Sequence, residues 1–150
     1  MLVLADTNIL LRRIHRSHPQ HRETRRAIRR LRARGDAFCV TAQNLIEFWA
    51  VCTRPIINNG LGLLPAQANR ILSKIEGSTV RFSDDADAVY LEWRALVARH
   101  GVSGKKSHDA RLVAAMNVHG VSHILTFNTQ DFTRYPGIVA LNPRDVNAAI

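Results

Sequence analysis

Short apolar segments alternate with helical patterns along the chain, and this alternation leaves few possible folds. The first segment, residues 2–5 (Leu-Val-Leu-Ala), is apolar without interruption, as expected of a strand covered on both faces. Further strand-like segments lie at residues 37–40, 79–82, 123–126 and 138–141. Strands connected through helices form a mainly parallel sheet, because each helix returns the chain to the starting edge. The sequence therefore predicts a three-layer α/β/α fold with about five strands.

Helix-starting and helix-ending residues divide the segments between these strands. Thr7 or Asn8 is predicted to cap a first helix, and Pro19 to open a second helix that Gly35 ends. The other predicted helices begin after the caps Thr41, Ser83 and Ser107, and at Pro65. The aromatic residues that fall on apolar stripes with helical spacing are expected in the core. They are Trp49, Tyr90 and Trp93.

The chain has 150 residues, 46% of them apolar, which is typical of one domain over residues 1–150. The apolar run at residues 1–5 is too short for a signal-peptide core, and no segment approaches the roughly 20 apolar residues of a membrane-spanning helix. Cys39 and Cys52 have no CxxC spacing, which favours reduced, buried thiols. We therefore expect a cytoplasmic protein without a membrane segment.

The chain is strongly basic, with 21 Lys and Arg against 12 Asp and Glu and a formal charge of +9. Such a surface favours a polyanionic partner: a nucleic acid, an acidic protein or an anionic membrane. Ten arginines lie between residues 12 and 34. They form either a solvated helix face or a surface that follows phosphates. Arg12, Arg13 and Arg16 are the candidates for RNA binding, while the later arginines suit an acidic protein equally well.

Three carboxylates occupy positions near strand ends, where parallel sheets gather their chemistry. Asp6 directly follows the first strand, Glu47 lies in the apolar helix after the second, and Asp109 has helical spacing with core residues. Each also has an ordinary structural explanation: Asp6 as a helix cap, Glu47 as part of an exposed strip on its helix, and Asp109 as an acid in the first turn of a helix. Together they would repel one another unless a cation lies between them, and all-oxygen sites suit Mg²⁺ or Mn²⁺. The pattern predicts a metal site that activates water against a phosphodiester.

Four segments in order give the chain a family resemblance from Asp6 to about Leu141. They are Asp6-Thr7-Asn8, Asn44-Leu45-Ile46-Glu47, His108-Asp109-Ala110, and Leu125-Thr126-Phe127-Asn128 ending in Asp131-Phe132. The chain resembles a PIN domain and is most similar to the small VapC-type ribonuclease toxins of bacterial toxin–antitoxin pairs. The resemblance implies a Mg²⁺-dependent endoribonuclease, with Mn²⁺ as a substitute. It also implies an RNA substrate, a cognate antitoxin as partner, and a homodimer.

The resemblance also implies roles for individual residues. Asp6, Glu47 and Asp109 match the acids that hold metal and position the attacking water. Asn128 stands where the family often has Asp, and its neutral carbonyl oxygen can ligate metal or orient water without adding charge. Asp131 is the alternative ligand at this fourth position. A catalytically weakened PIN-like module that binds RNA or protein therefore stays open, as does a phosphohydrolase for small substrates.

Overall fold

Five parallel strands form one sheet in the computed structural model, which describes residues 1–83 and 85–149. The strand order is β3-β2-β1-β4-β5. The strands are β1 (Leu2–Ala5), β2 (Ala37–Val40), β3 (Val80–Arg81), β4 (His123–Leu125) and β5 (Val139–Leu141). β1 pairs with β2 on one side and β4 on the other. The first strand of the chain is therefore the central strand of the sheet.

Helices cover both faces of the sheet. In the described residues they are α1 (Thr7–Ile14), α2 (His21–Ala33), α3 (Ala42–Thr53), α4 (Pro65–Ser78), α5 (Ala86–His100), α6 (Lys106–Val118) and α7 (Pro143–Ala148). Two short 3₁₀ helices, Ile56–Asn58 and Thr129–Phe132, lie in the connections. The all-parallel sheet confirms the predicted α/β class.

Successive residues of β1 face opposite sides of the sheet and enter two separate cores. Val3 and Ala5 pack in a cluster that also contains buried residues of α1, α2, α3 and α4. Leu4 packs in a second cluster with buried residues of α5 and α6. Because both faces of the central strand are buried, its uninterrupted apolar sequence is explained, and the three-layer α/β/α arrangement is confirmed.

Several predicted boundaries are wrong by a few residues because side chains bond locally. Helix α2 begins at His21, since Pro19 and Gln20 lie in a turn in which the Gln20 N–H donates to the His18 imidazole at 3.1 Å. Asp85, rather than Ser83, caps α5 by accepting from the Ala88 N–H at 3.3 Å. Thr41 caps α3 as predicted, in a reciprocal pair with Asn44.

Helix α6 begins at Lys106, one residue before the predicted cap. The hydroxyl of Ser107 donates backwards to the Gly104 carbonyl at 2.7 Å, so it does not cap the helix. Helix α7 was not expected, although Asn142 caps it and Pro143 occupies its first position. That pair is a recognisable helix start, so the sequence did contain the signal.

The aromatic residues predicted to be in the core differ in burial. Trp49 and Trp93 are partly buried and pack against the two apolar clusters. Tyr90 is 51% exposed, so its assignment to the core is wrong. It occupies the outer surface of α5, whose inward residues Val89 and Leu96 are buried. Helical spacing alone did not separate the inner edge of the stripe from its outer edge.

Cys39 and Cys52 are both buried and form no disulfide. Burial raises the pKa of the Cys39 thiol to about 12 and that of the Cys52 thiol to about 11, so both stay protonated at neutral pH. Across residues 1–83 and 85–149, we find no helix whose length and apolar character would carry it through a lipid bilayer.

Phe48 and Ile46 provide a matched test of the packing on α3. Phe48 is fully buried and Ile46 is 68% exposed. We expect Phe48→Ala to lower the free energy of unfolding by about 3–5 kcal/mol, because it removes a large side chain and leaves a cavity. Ile46→Ala should change it by less than about 0.5 kcal/mol. Urea denaturation measures both, and equal losses would contradict the packing described here.

Candidate active site at the carboxyl edge of the sheet

Asp6 leaves the carboxyl end of the central strand and caps helix α1. Its carboxylate is only 8% exposed and accepts three hydrogen bonds. The donors are the Thr7 N–H at 2.8 Å, the Asn8 side-chain amide at 2.9 Å and the Thr126 hydroxyl at 2.7 Å. Burial raises the pKa of Asp6 in spite of these donors, and the charge of Glu47 contributes in the same direction. The predicted caps Thr7 and Asn8 are thus wrong, since Asp6 is the cap.

Thr126 connects the exit of β4 to Asp6. Its side chain is fully buried, and its hydroxyl also accepts from the Asn8 amide at 3.2 Å and from the Asn128 N–H at 3.0 Å. The Asn8 carbonyl accepts from the Phe127 N–H at 3.3 Å. These bonds fasten the loop after β4 to the first turn of α1. The Asn128 side chain is exposed, and among the described residues it makes no hydrogen bond.

Glu47 projects from α3 towards the same edge. One carboxylate oxygen accepts from the Thr7 hydroxyl at 2.8 Å, and the other accepts from the Gln43 amide at 3.0 Å. The Gln43 amide also donates to the His108 carbonyl at 3.0 Å, which links α3 to α6 across the edge. Asn44 is fully buried and donates to Thr7 at 3.3 Å. Glu47 is therefore held by neutral donors at both oxygens.

Asp109 lies half-buried in the first turn of α6. Its pKa is raised to about 6, first by burial and then by the negative charges of Asp131, Asp6 and Glu47. Lys106 opposes this shift. The three repulsive contributions mean that the four acids occupy one electrostatic neighbourhood. The structure thus places all four predicted metal ligands at the same edge of the sheet, close enough for their charges to act on Asp109.

Asp131 differs from the other acids because a cation accompanies it. Lys106 forms a salt bridge with Asp131, and both side chains are partly exposed. This bond raises the pKa of Lys106, so the lysine stays charged. Of the two candidates for the fourth position, Asp131 therefore contributes charge at the edge, whereas Asn128 lies on its exposed rim.

The donor set has the chemistry that a hard divalent cation requires, since it consists of carboxylate oxygens. Their mutual repulsion raises the pKa of Asp109 and contributes to that of Asp6, and a cation would relieve it. In the side-chain positions described, no three His, Cys, Asp or Glu residues are arranged as a formed metal site. The hydrogen bonds to Thr7, Gln43 and Thr126 hold the carboxylates in separate positions instead.

The arginines of residues 12–34 divide between structural contacts and open surface. Arg30 donates to the carbonyls of Val146 and Ala149, which anchors α7. Arg32 donates to Ser78 and lies 5.8 Å from the centroid of the Phe38 ring. Arg34 forms a salt bridge with Asp36. These three arginines contribute to the fold and are less available to a partner.

Arg12 and Arg13 lie about 9–10.5 Å along the α1 axis from Asp6, given the rise of about 1.5 Å per residue. Burial lowers the pKa of both, and the charges of Arg32 and Arg25 lower that of Arg13 further. Arg13 of α1 therefore lies near Arg25 and Arg32 of α2. Arg16 lies just beyond α1 and is exposed. In the described residues, none of the three contacts the acids.

Sequence reasoning missed the neutral residues that hold the acids in place. Thr126 was treated as the end of a strand, and Thr7 as a cap. Asn44 enters the sequence pattern only as part of the segment that ends at Glu47, and the sequence predicts neither its role as a donor nor that of Gln43. The available signal was weak: four neutral polar residues stand beside apolar runs where a core side chain would otherwise be expected.

The PIN domain family model matches residues 3–138, which includes all of these acids. The chain belongs to the PIN domain family. The resemblance found in the sequence is therefore confirmed at the level of the family. Among proteins with a curated description, none matches the chain significantly.

Solved structures of bacterial toxin–antitoxin proteins share this PIN fold. VapBC2 from Rickettsia felis, bound to a DNA fragment from its promoter, has a TM-score of 0.66 and 17% identity, covering 95% of this chain and 98% of that chain. A toxin–antitoxin complex from Klebsiella pneumoniae has a TM-score of 0.63 and 20% identity, covering 94% and 97%. VapC20 from Mycobacterium tuberculosis, a toxin that cleaves the sarcin–ricin loop, has a TM-score of 0.57 and 17% identity, covering 81% and 86%.

The raised pKa of Asp109 makes a prediction about stability in metal-free buffer containing EDTA. Because the folded protein holds this proton up to about pH 6, ionisation destabilises the native state as pH rises from about 4 to above 6. After allowance for solvent screening of a half-buried group, we expect Asp109→Asn to stabilise the protein by about 1 kcal/mol at pH 7.5. The difference should vanish near pH 4.

Urea denaturation at both pH values measures this effect. Glu76→Gln is the matched control, since Glu76 is exposed on α4 away from the edge. A gain for Asp109→Asn that is equal at pH 4 and pH 7.5 would show that charge repulsion is not its cause.

Proposed function

We propose that this PIN domain is a metal-dependent endoribonuclease that serves as the toxin of a toxin–antitoxin pair. The observation that carries the proposal is the placement of Asp6, Glu47, Asp109 and Asp131 at one edge, where burial and then the charges of the other three acids raise the pKa of Asp109 to about 6. Acids that repel one another in a basic chain are stable together when a cation joins them. A cation in turn lets a polyanion approach.

The residues that would hold the ion are Asp6, Glu47 and Asp109, with Asp131 as the fourth. Mg²⁺ suits this oxygen donor set, and Mn²⁺ is its usual substitute. Bound there, the ion would activate water as a nucleophile and offset the charge that develops on the phosphodiester. For Asp131 to take part, it would have to leave the salt bridge with Lys106.

The chain's own residues supply orientation. Thr7 and Thr126 donate to Glu47 and Asp6, so both carboxylates keep fixed directions before substrate arrives. We assign Asp6, Glu47 and Asp109 to positioning the attacking water. Asn128, exposed on the rim, is assigned to orienting that water or the substrate through its neutral carbonyl oxygen.

The partners follow from the relatives and the charge. VapC20 cleaves the sarcin–ricin loop, and the Klebsiella pneumoniae structure is a toxin–antitoxin complex. We propose RNA as the substrate, bound in part by Arg12, Arg13 and Arg16, and a cognate antitoxin as the protein partner. We also propose a homodimer that acts in the cytoplasm, where its RNA substrate is found.

Substitution of the acids tests the chemistry. We expect Asp6→Asn and Asp109→Asn each to lower cleavage of a structured RNA by at least about a hundredfold, because each loses a charged oxygen at the reacting centre. EDTA should abolish cleavage by the unaltered protein, and Mg²⁺ or Mn²⁺ should restore it. Glu76→Gln is the control and should keep full activity.

The result also separates the leading function from its alternative. Asn128 is neutral and Asp131 is paired, which favours a weakened module that binds RNA without cutting it. RNA binding without cleavage, combined with no Mn²⁺ binding in a titration, would support the module and overturn the nuclease. Full activity of Asp6→Asn would overturn the assigned mechanism.

The arginines in and just after α1 make a separate prediction about salt. Each phosphate contact with single-stranded RNA contributes about 0.7 to the slope of log affinity against log salt concentration. Combined replacement of Arg12, Arg13 and Arg16 by Gln should therefore lower that slope by about 1–2. Arg70→Gln, an exposed change on α4, should leave it unaltered. Fluorescence anisotropy between 50 and 300 mM KCl measures both, and equal slopes would exclude these arginines from RNA binding.

A further inference from the structure

An open cavity of about 320 Å³ lies on the surface formed by α5 and α6. Its lining is mainly apolar and aromatic, with one cation: Ala86, Val89, Tyr90, Trp93 and Arg111. Tyr90 is 51% exposed, so its ring is accessible to a ligand at this surface. We call this cavity the aromatic pocket.

The two rings of the aromatic pocket form a preformed platform. The Tyr90 and Trp93 centroids are 5.9 Å apart, and the ring planes are inclined by 31°. The Trp93 indole N–H donates to the Ser107 carbonyl at 2.9 Å, which fixes the indole against the start of α6. A fixed ring loses little conformational entropy when a ligand stacks on it.

Arg111 connects the aromatic pocket to the acids. Its guanidinium donates to the side-chain Oε1 of Gln43 at 3.4 Å, and the side-chain Nε2 of Gln43 donates to Glu47 at 3.0 Å. Arg111 also follows Asp109 by two residues on α6. The Gln43 side chain therefore bridges Arg111, at the wall of the pocket, and Glu47 in the candidate active site. A guanidinium at its wall is suited to the phosphate that follows a base.

We propose that the aromatic pocket holds one unpaired base of the RNA substrate and so helps to select the cleavage site. The inference rests on the proposed ribonuclease function. Unpaired bases are recognised by stacking on aromatic rings, and each stacked base contributes about 1–3 kcal/mol. The combination of ring faces, a cation and continuity with Glu47 matches a nucleotide, which carries a flat base and a charged phosphate.

Substitution of Tyr90 tests the proposal, with its neighbour as the control. Leu91 is 65% exposed on α5 and does not line the pocket. The probes are 12-nucleotide oligo(U), oligo(A) and oligo(C) RNAs, bound to protein carrying Asp6→Asn to prevent cleavage. We expect Tyr90→Ala to weaken the best of these by about 5- to 150-fold, as the loss of one stacked base requires. Tyr90→Phe should keep the affinity, and Leu91→Ala should change it less than twofold.

A second readout follows site choice in the active protein. With a structured RNA as substrate, Tyr90→Ala should raise KM more than it lowers kcat and should spread cleavage over more sites. Tyr90→Phe should restore the original sites. Because Tyr90 lies apart from the acids, neither change should alter the dependence on Mn²⁺.

The outcomes separate this proposal from the proposed function. Unchanged affinity and cleavage sites in Tyr90→Ala overturn the aromatic pocket while the nuclease stands. Binding that depends on Tyr90 without any cleavage supports the pocket while the nuclease fails. Loss of a dimer in sedimentation for both Tyr90→Ala and Leu91→Ala, with RNA affinity unchanged, assigns the surface to self-association and overturns the proposal. Absence of binding to any of the three RNAs overturns it also.

Discussion

The structure of the candidate site depends on the burial of one carboxylate, that of Asp6, at the end of the central strand. A buried carboxylate costs several kcal/mol unless donors surround it. Here the donors come from the first turn of α1 and, through Thr126, from the exit of β4. The bonds that compensate for the burial also fix two loops at the edge of the sheet. Stability and the geometry of the site therefore depend on the same contacts.

Repulsion among the acids destabilises the fold, and hydrogen bonds compensate for it only in part. Asp109 accepts no hydrogen bond among the described residues, and neighbouring charges help to raise its pKa to about 6. Glu47 is better placed, because Thr7 and Gln43 satisfy both oxygens. Like charges that repel one another and destabilise the fold are typical of a functional site, since selection for stability alone would have removed them. The Lys106–Asp131 salt bridge offsets part of this repulsion at the rim.

The sequence predicted those features that depend on neighbouring residues and failed where distant contacts decide. Asp6 could be placed because it follows an uninterrupted apolar strand, and Thr41 because a cap is a local device. Thr126 could not, because its role is a bond to a residue 120 positions away. Tyr90 is wrongly predicted in the core because helical spacing shows which face of a helix is apolar but not how far around the helix the buried part extends. The gathering of the acids was predicted from the rule for parallel sheets, whereas their hydrogen-bond partners required the fold.

The carboxyl edge joins two surfaces that differ in chemistry. The arginines of α1 and α2 lie on one face of the sheet, and the aromatic pocket of α5 and α6 lies on the other. Gln43 spans the edge between them, since it contacts Glu47 on α3 and both His108 and Arg111 on α6. A polyanion that crosses the acids therefore meets arginine side chains on one side and ring faces on the other. The net charge of +9 favours many anions. A flexible strand that carries both phosphates and exposed bases can use the two surfaces at once, and this is the physical reason for proposing unpaired RNA as the substrate at this edge.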